Sequence, residues 1–126
     1  MKRVLIACVL LLSIIAGCIG GYFSIRQITD FSIQTVQSAA RAAGGNDIAG
    51  ALTELQTGQA QWSDHSTILS ALVDHQAIDE IDTLYRRAIS FAATNEKPHL
   101  LSELAALSAA LERMQTAERL SLETIL

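Results

Sequence analysis

Val4 to Phe23 reads VLIACVLLLSIIAGCIGGYF, twenty residues without a charge, directly after Lys2 and Arg3. A helix rises about 1.5 Å per residue, so a run of this length spans the roughly 30 Å hydrocarbon core of a bilayer. This stretch divides the chain into a membrane anchor over residues 1–25 and a body over residues 26–126.

Two readings of the anchor fit. In the first it is an uncleaved transmembrane helix of the cytoplasmic membrane. The cationic Met1–Lys2–Arg3 end then stays inside and the body is exported, giving a single-pass envelope protein. In the second, Ile15–Ala16–Gly17–Cys18 is a lipoprotein signal box, and Cys18 becomes the lipidated first residue of the mature chain. Apolar character persists through Ile19, Tyr22, Phe23 and Ile25. That favours the span, because a lipoprotein body usually starts on a polar tether. Both readings place residues 26–126 outside the cytoplasmic membrane. The only cysteines, Cys8 and Cys18, are about 15 Å apart along one helix, too far for a disulfide. Ser13, Gly17 and Gly21 share a helix face, a spacing that lets two membrane helices approach closely.

The body reads as all-α. Nowhere do Val, Ile and Thr alternate with polar residues for long enough to suggest a strand. The spacing predicts that the anchor helix continues through Ile25–Ala43, burying Ile28, Phe31, Thr35, Val36, Ala39 and Ala43. Gly44–Gly45 ends it, and Asn46 or Asp47 caps the next helix. From Ile48 there is no strong stop before Thr94–Asn95. The first half of this stretch offers Ile48, Leu52, Leu55, Trp62, Leu69 and Val73 to a core. The second half offers Ala77, Ile81, Leu84, Ala88 and Phe91. Between the halves the apolar stripe turns by about a quarter circle near Asp74–His75–Gln76. Either the helix breaks there, or one long central helix changes its packing partner. The lack of Gly or Pro favours continuity.

Asn95–Glu96–Lys97–Pro98 is the clearest turn, since proline belongs in a helix's first turn. The last helix runs from about Pro98 to Ala117. Leu100, Leu104, Leu107, Leu111 and Met114 form a seam at alternating steps of four and three, as in helices that pack on helices. The spacing continues through Glu118, Leu122 and Ile125, which makes the tail a packed segment. Glu118 interrupts the seam, with Arg113 or Arg119 as its expected partner or an edge position as its expected place. The expected architecture is therefore a transmembrane helix continuing into a small helical bundle or hairpin with one long central helix.

Charge excludes some functions. From Arg26 onward there are seven basic and thirteen acidic residues, which leaves the body at −6. No basic stripe exists to hold nucleic acid, and an acidic body is repelled by an anionic membrane surface. The densest polar cluster is Asp74–Asp82. If it is helical, His75, Asp79 and Asp82 line one face with Arg86, and a His with a carboxylate four residues on is a possible metal pair. The plainer reading is a solvated ladder, with Asp82–Arg86 as an ion pair worth a few tenths of a kcal/mol. Asp74 falls in line with Ile78, Ile81 and Tyr85, so it needs a partner such as the Tyr85 hydroxyl. Trp62 is expected as a core anchor, or with His65 and Ser66 as the edge of a pocket. No nucleophile elbow, phosphate loop or His–Glu zinc motif is present. A hydrolase would have to bring Ser66 to His99 by folding. The expectation is no enzyme, no cofactor, no metal and no small-molecule ligand.

Three segments carry a resemblance. They are Trp62–Ser63–Asp64–His65, the run Leu72–Val73–Asp74–His75–Gln76–Ala77–Ile78–Asp79–Glu80–Ile81, and the tail Glu118–Arg119–Leu120–Ser121–Leu122–Glu123–Thr124–Ile125–Leu126. Together with the basic start and the single span, they resemble a bacterial family of small single-span proteins known only as a domain of unknown function. Its pattern has Trp-x-x-His, Asp-His-x-x-Ile-Asp-x-Ile and a Leu-Ser-Leu-Glu-Asn-Ile-Leu-like end. Thr124 departs from it, standing where the pattern has asparagine. The resemblance implies the span and an all-helical body, and it carries no site residues. The expected role is a non-catalytic interaction or structural module, associating with a second copy or a helical protein partner. The competing expectation is a sensor or cation-binding module that uses Asp74–Asp82, with histidine titrating near neutrality.

Overall fold

A computed structural model describes the chain from Met1 to Ile125, apart from the side chains of Leu72, Ser121, Leu122 and Ile125. Its described residues form five helices: α1 (Lys2–Gly44), α2 (Ile48–Asp64), α3 (Ser66–Leu72), α4 (His75–Ala93) and α5 (Lys97–Ile125). The all-α expectation holds. α1 runs unbroken for 43 residues, so the apolar anchor and the first helix of the body are one element.

The body is an up-down-up-down bundle. α1 packs on α2 and α5, and α4 packs on the same two helices from the other side. Ile25, Val36, Ala39 and Ala43 of α1 meet Leu55 and Trp62 of α2, Ile81, Tyr85 and Ala88 of α4, and the α5 seam. Leu100, Leu104, Leu107, Leu111 and Met114 are all buried, as their spacing predicts. On α1 the inward face is shifted from the expected one: Thr29 and Ser32 are buried, Ile28 is half-buried and Phe31 is exposed. The two buried threonine hydroxyls are satisfied within the helix. Thr29 donates to the Ile25 carbonyl at 2.8 Å and Thr35 to that of Phe31 at 3.0 Å.

The continuous central helix is not found. It breaks at His65 and again at Val73–Asp74, so three helices occupy residues 48–93. Val73 is extended (φ −127°, ψ 155°), and Asp74 (φ −60°, ψ 132°) is the N-cap of α4, its carboxylate accepting from the Gln76 amide at 3.3 Å. An aspartate that bonds the backbone ahead of it competes with helix continuation without any Gly or Pro. It also resets the helical phase where the apolar stripe turns.

The bundle's distal end is closed by two similar turns. Asn46 (φ 66°) and Asn95 (φ 57°) take the left-handed conformation, which Asn tolerates better than most residues. The amide after each bonds back to a helix carbonyl: Asp47 to Ala42 at 2.8 Å, and Glu96 to Phe91 at 2.9 Å. These are the closing bonds of a Schellman end. At the first turn Asn46, not a glycine, supplies the positive φ, while Gly45 stays at −87°. Of the two expected candidates Asn46 and Asp47, it is Asp47 that caps α2, accepting from the Gly50 amide at 3.0 Å. Lys97 Nζ donates to Asn46 Oδ1 at 2.6 Å and ties the two turns together. The helical backbone of α5 continues past Ala117 to Ile125. Leu122 and Ile125 of the expected seam lie outside the described side chains, and Leu126 lies outside the described residues.

At Gly58 side chains of α1 and α4 come close to the α2 backbone. A Cβ there would sit 2.8 Å from Thr35 Cγ2 and 3.3 Å from Tyr85 Oη. Alanine is the better helix former by about 1 kcal/mol, but Thr35 is held by its own hydrogen bond and cannot readily turn its methyl away. Gly58→Ala is therefore expected to lower stability by about 1–3 kcal/mol in denaturant unfolding, through overpacking. Adding Thr35→Ser, which deletes that methyl, should recover most of the loss. A Gly58→Ala protein at least as stable as the parent would show that the packing there is loose.

Candidate functional site

The structure does not assemble His75, Asp79 and Asp82 into a site. His75 and Asp79 are exposed on the first turns of α4, and Asp82 is half-buried. Among the described residues no three His, Cys, Asp or Glu side chains gather in a way that could hold a metal. Asp74 is an exposed helix cap, so the expected bond from Tyr85 is not made. Glu80 reaches across to α5, accepting from Arg113 at 2.8 Å, which removes Arg113 as a partner for Glu118. Arg87 of α4 likewise pairs with the nearly buried Glu103 of α5 at 2.7 Å. No Asp82–Arg86 ion pair forms; Arg86 acts on Asp82 only through its nearby charge. The segment works mainly as a cap and as one side of the α4–α5 contact.

The polar groups that burial isolates lie on the other face of α4. Trp62 and Tyr85 are fully buried, with ring centroids 6.4 Å apart. Neither Trp62 Nε1 nor Tyr85 Oη has a hydrogen-bond partner. Asp82 stands beside the indole and Ser32 beside the phenol, close enough to perturb titration but outside hydrogen-bond geometry. Burial raises the Tyr85 pKa, with Ser32 partly opposing the shift. Burial also raises that of Asp82, reinforced by the Asp79 charge and opposed by Trp62 and Arg86.

Trp62 is both the core anchor and the edge of a cleft. Gln27, Ile28, Phe31 and Ser32 of α1, with Gln61, Trp62 and His65, line a cleft of about 220 Å³ between α1 and α2. Phe31 is 42% exposed at its rim, an aromatic ring that the bundle leaves uncovered. Sequence spacing missed this because Phe31 falls at the edge of the apolar stripe, where periodicity does not decide between inside and outside. His65 contributes Nδ1, which lies 2.8 Å from the Gln61 carbonyl. Ser66, at the start of α3, is at the end of the bundle nearer the apolar half of α1. His99, stacked on Phe91 with centroids 5.1 Å apart, is in the first turn of α5 at the distal end. Folding therefore separates the Ser66–His99 pair.

The class of protein is an all-helical bundle built on a helix long and apolar enough to cross a membrane, the one such helix among the described residues. A family model described as a domain of unknown function (DUF4363) matches residues 19–125, and the chain belongs to that family. No curated protein and no solved structure matches it.

Two outcomes follow from the buried polar groups. Tyr85→Phe removes a hydroxyl that has no partner, so folding stability should be unchanged or slightly higher; a loss of more than about 1 kcal/mol in chemical unfolding would reveal a hidden bond. The raised Asp82 pKa means that the folded state holds this proton more tightly than the unfolded chain. Its contribution to stability is present in acid and is lost as pH rises through the folded pKa, above the ordinary 3.8. Asp82→Asn should thus raise the melting temperature at pH 7 relative to the parent, with the gain vanishing near the ordinary carboxylate range. An equal gain at both pH values would contradict this.

Proposed function

We propose that this protein is a non-catalytic interaction module, held on the outer side of the cytoplasmic membrane by an uncleaved α1 span with its N-terminus inside. The observation that carries the reading is the uncovered first half of α1. The most apolar 18-residue window of α1 is 0% buried, and Val4, Leu5, Ile6, Val9, Leu10, Leu11, Leu12 and Ile14 are all exposed. At about 25 cal/mol per Å² of apolar surface, leaving that length of helix in water is prohibitive, and lipid is the natural cover. The continuity of α1 through Cys18 supports an uncleaved span over a lipidated start, since a tether is expected after a lipidated cysteine.

The partner is a second helix of the same membrane, first of all a second copy of this chain. The α5 seam is occupied inside the bundle, so association must use another surface. At 100° per residue, Ser13, Gly17, Gly20, Ser24 and Phe31 fall within about 40° of one line on α1. Small residues inside the span therefore continue into the exposed aromatic ring outside it. Close approach of two α1 helices along this line fits the way membrane helices pair.

Two measurements test this reading. The intact mass of the membrane-bound protein should be that of the full 13.6 kDa chain; a shorter chain with acyl groups on Cys18 would replace the span with a lipid anchor. A photoreactive phenylalanine analogue at position 31, irradiated in intact cells, should give an adduct of twice the chain's mass. An adduct of another mass would replace self-association with a different partner. No adduct, with a strictly monomeric protein in detergent, would contradict the interaction role.

A further inference from the structure

The membrane-proximal contact between α1 and α5 holds features that the bundle does not use. α5 runs antiparallel to α1. Lys97 meets Asn46 at the distal end, and Gln115 Nε2 donates to Thr29 Oγ1 at 2.7 Å and to Asp30 Oδ1 at 2.6 Å lower down. One turn beyond Gln115, Glu118 and Arg119 lie against Tyr22, Ile25 and Arg26 around a cleft of about 130 Å³. Since about 10–15 Å³ of such space holds one water, the cleft admits a group of several heavy atoms.

Its depth follows from the span. Phe23 ends the apolar run, and Arg26 lies about 4.5 Å beyond it along α1. With Val4–Phe23 in the hydrocarbon, the cleft opens into the headgroup layer, where tyrosine and arginine side chains ordinarily sit. α5 ends ten residues after Gln115, about 15 Å nearer the membrane, while Phe23 is only about 9 Å below Thr29. The last turn of α5 therefore descends to the level of the apolar run, and Leu120, which is 53% exposed, lies about 7.5 Å below Gln115, just above the level of Phe23.

The charges in this cleft are of both signs and are largely unspent. Arg119 and Glu118 take part in no ion pair among the described residues, and Arg26 makes only a long, exposed contact with Asp30 at 3.8 Å. Burial raises the Glu118 pKa, as expected of a carboxyl half-removed from water without a compensating cation. A ligand carrying an anion and a hydrogen-bonding cation a few ångströms apart would answer both groups.

We propose that the α1–α5 cleft is a binding site for the headgroup of a zwitterionic phospholipid bearing a primary ammonium. Arg26 and Arg119 take the phosphate and Glu118 takes the ammonium. Guanidinium groups suit phosphate oxygens through charge-assisted hydrogen bonds. A primary ammonium donates to a carboxylate, whereas a quaternary one has no N–H to give. The site rests on the reading of α1 as a span. It gives the acidic body a specific hold on the membrane surface without needing net anionic lipid.

The test uses the full chain in nanodiscs of phosphatidylcholine containing equal minor amounts of phosphatidylethanolamine and phosphatidylglycerol, with bound lipid counted by native mass spectrometry. Phosphatidylethanolamine should be enriched over both others. Arg119→Ala should lower retained lipid about tenfold, the effect of losing one charge-assisted hydrogen bond. Glu118→Gln should abolish the preference for ethanolamine over choline while leaving lipid bound. Glu112→Gln, one turn and a half away on α5, serves as a control and should change neither. Equal retention of the three lipids, enrichment of phosphatidylglycerol alone, or indifference to Arg119→Ala would overturn the site. Alkaline extraction of the same particles separates the two readings: release of the parent protein would mean that the span itself is wrong, whatever the lipid preference. Circular dichroism of each variant establishes that it is folded.

Discussion

The constraint on which this structure depends is that one unbroken helix carries two unlike surfaces. From Val4 to Phe23, α1 carries no charge and offers mainly apolar and small side chains, which the described residues of the bundle leave largely uncovered. The second half is a wall of a water-soluble bundle, with Ile25, Thr29, Ser32, Val36, Ala39 and Ala43 turned inward. No glycine–proline break or capping residue separates the halves, so the orientation of the apolar half and that of the bundle are one variable. A rotation or tilt of the apolar half is a rotation of the face that α2 and α5 pack against.

The second half of α1 is built to be approached closely. Alanines and back-bonded hydroxyls line its inner face, and Gly58 brings α2 within contact of both Thr35 and Tyr85. Tight packing there has left two buried polar atoms, Trp62 Nε1 and Tyr85 Oη, without partners. Such groups cost stability unless the aromatic area buried with them offsets the loss. Across the bundle, α4 and α5 are held differently, by the leucine seam and by two cross-helix ion pairs, Arg87–Glu103 and Arg113–Glu80. The exposed Arg113–Glu80 pair contributes little, Arg87–Glu103 has its carboxylate nearly buried, and the seam supplies the apolar burial on that side.

Much of this was legible in the amino-acid sequence, for identifiable reasons. The apolar run and the α5 seam declare themselves because long unbroken patterns leave few alternatives, and the two short polar residues after Gly–Gly marked a cap without deciding between Asn46 and Asp47. The division of residues 48–93 was not legible from breakers, because none is present. The signal was the turn of the apolar stripe, and Asp74 gave its cause. As a buried carboxylate Asp74 needed a rescuing partner; as an N-cap it needs only the amide two residues on. Phe31 and Gly58 were opaque for a different reason. Which side of α1 faces α2 is decided by tertiary fit, and neighbours along the chain do not encode it. The metal candidates His75, Asp79 and Asp82 shared a face on paper, yet two of them simply face water.

The central claim is that α1 is a single continuous helix from its apolar half into the bundle, so that the two halves move together. Hydrogen exchange of the full chain in nanodiscs reads this directly at the junction, over residues Gly17–Ile28. A continuous helix predicts amides there as slow to exchange as those of Val36–Ala43 in the bundle. Rapid exchange confined to the junction would show a hinge, and would contradict the account.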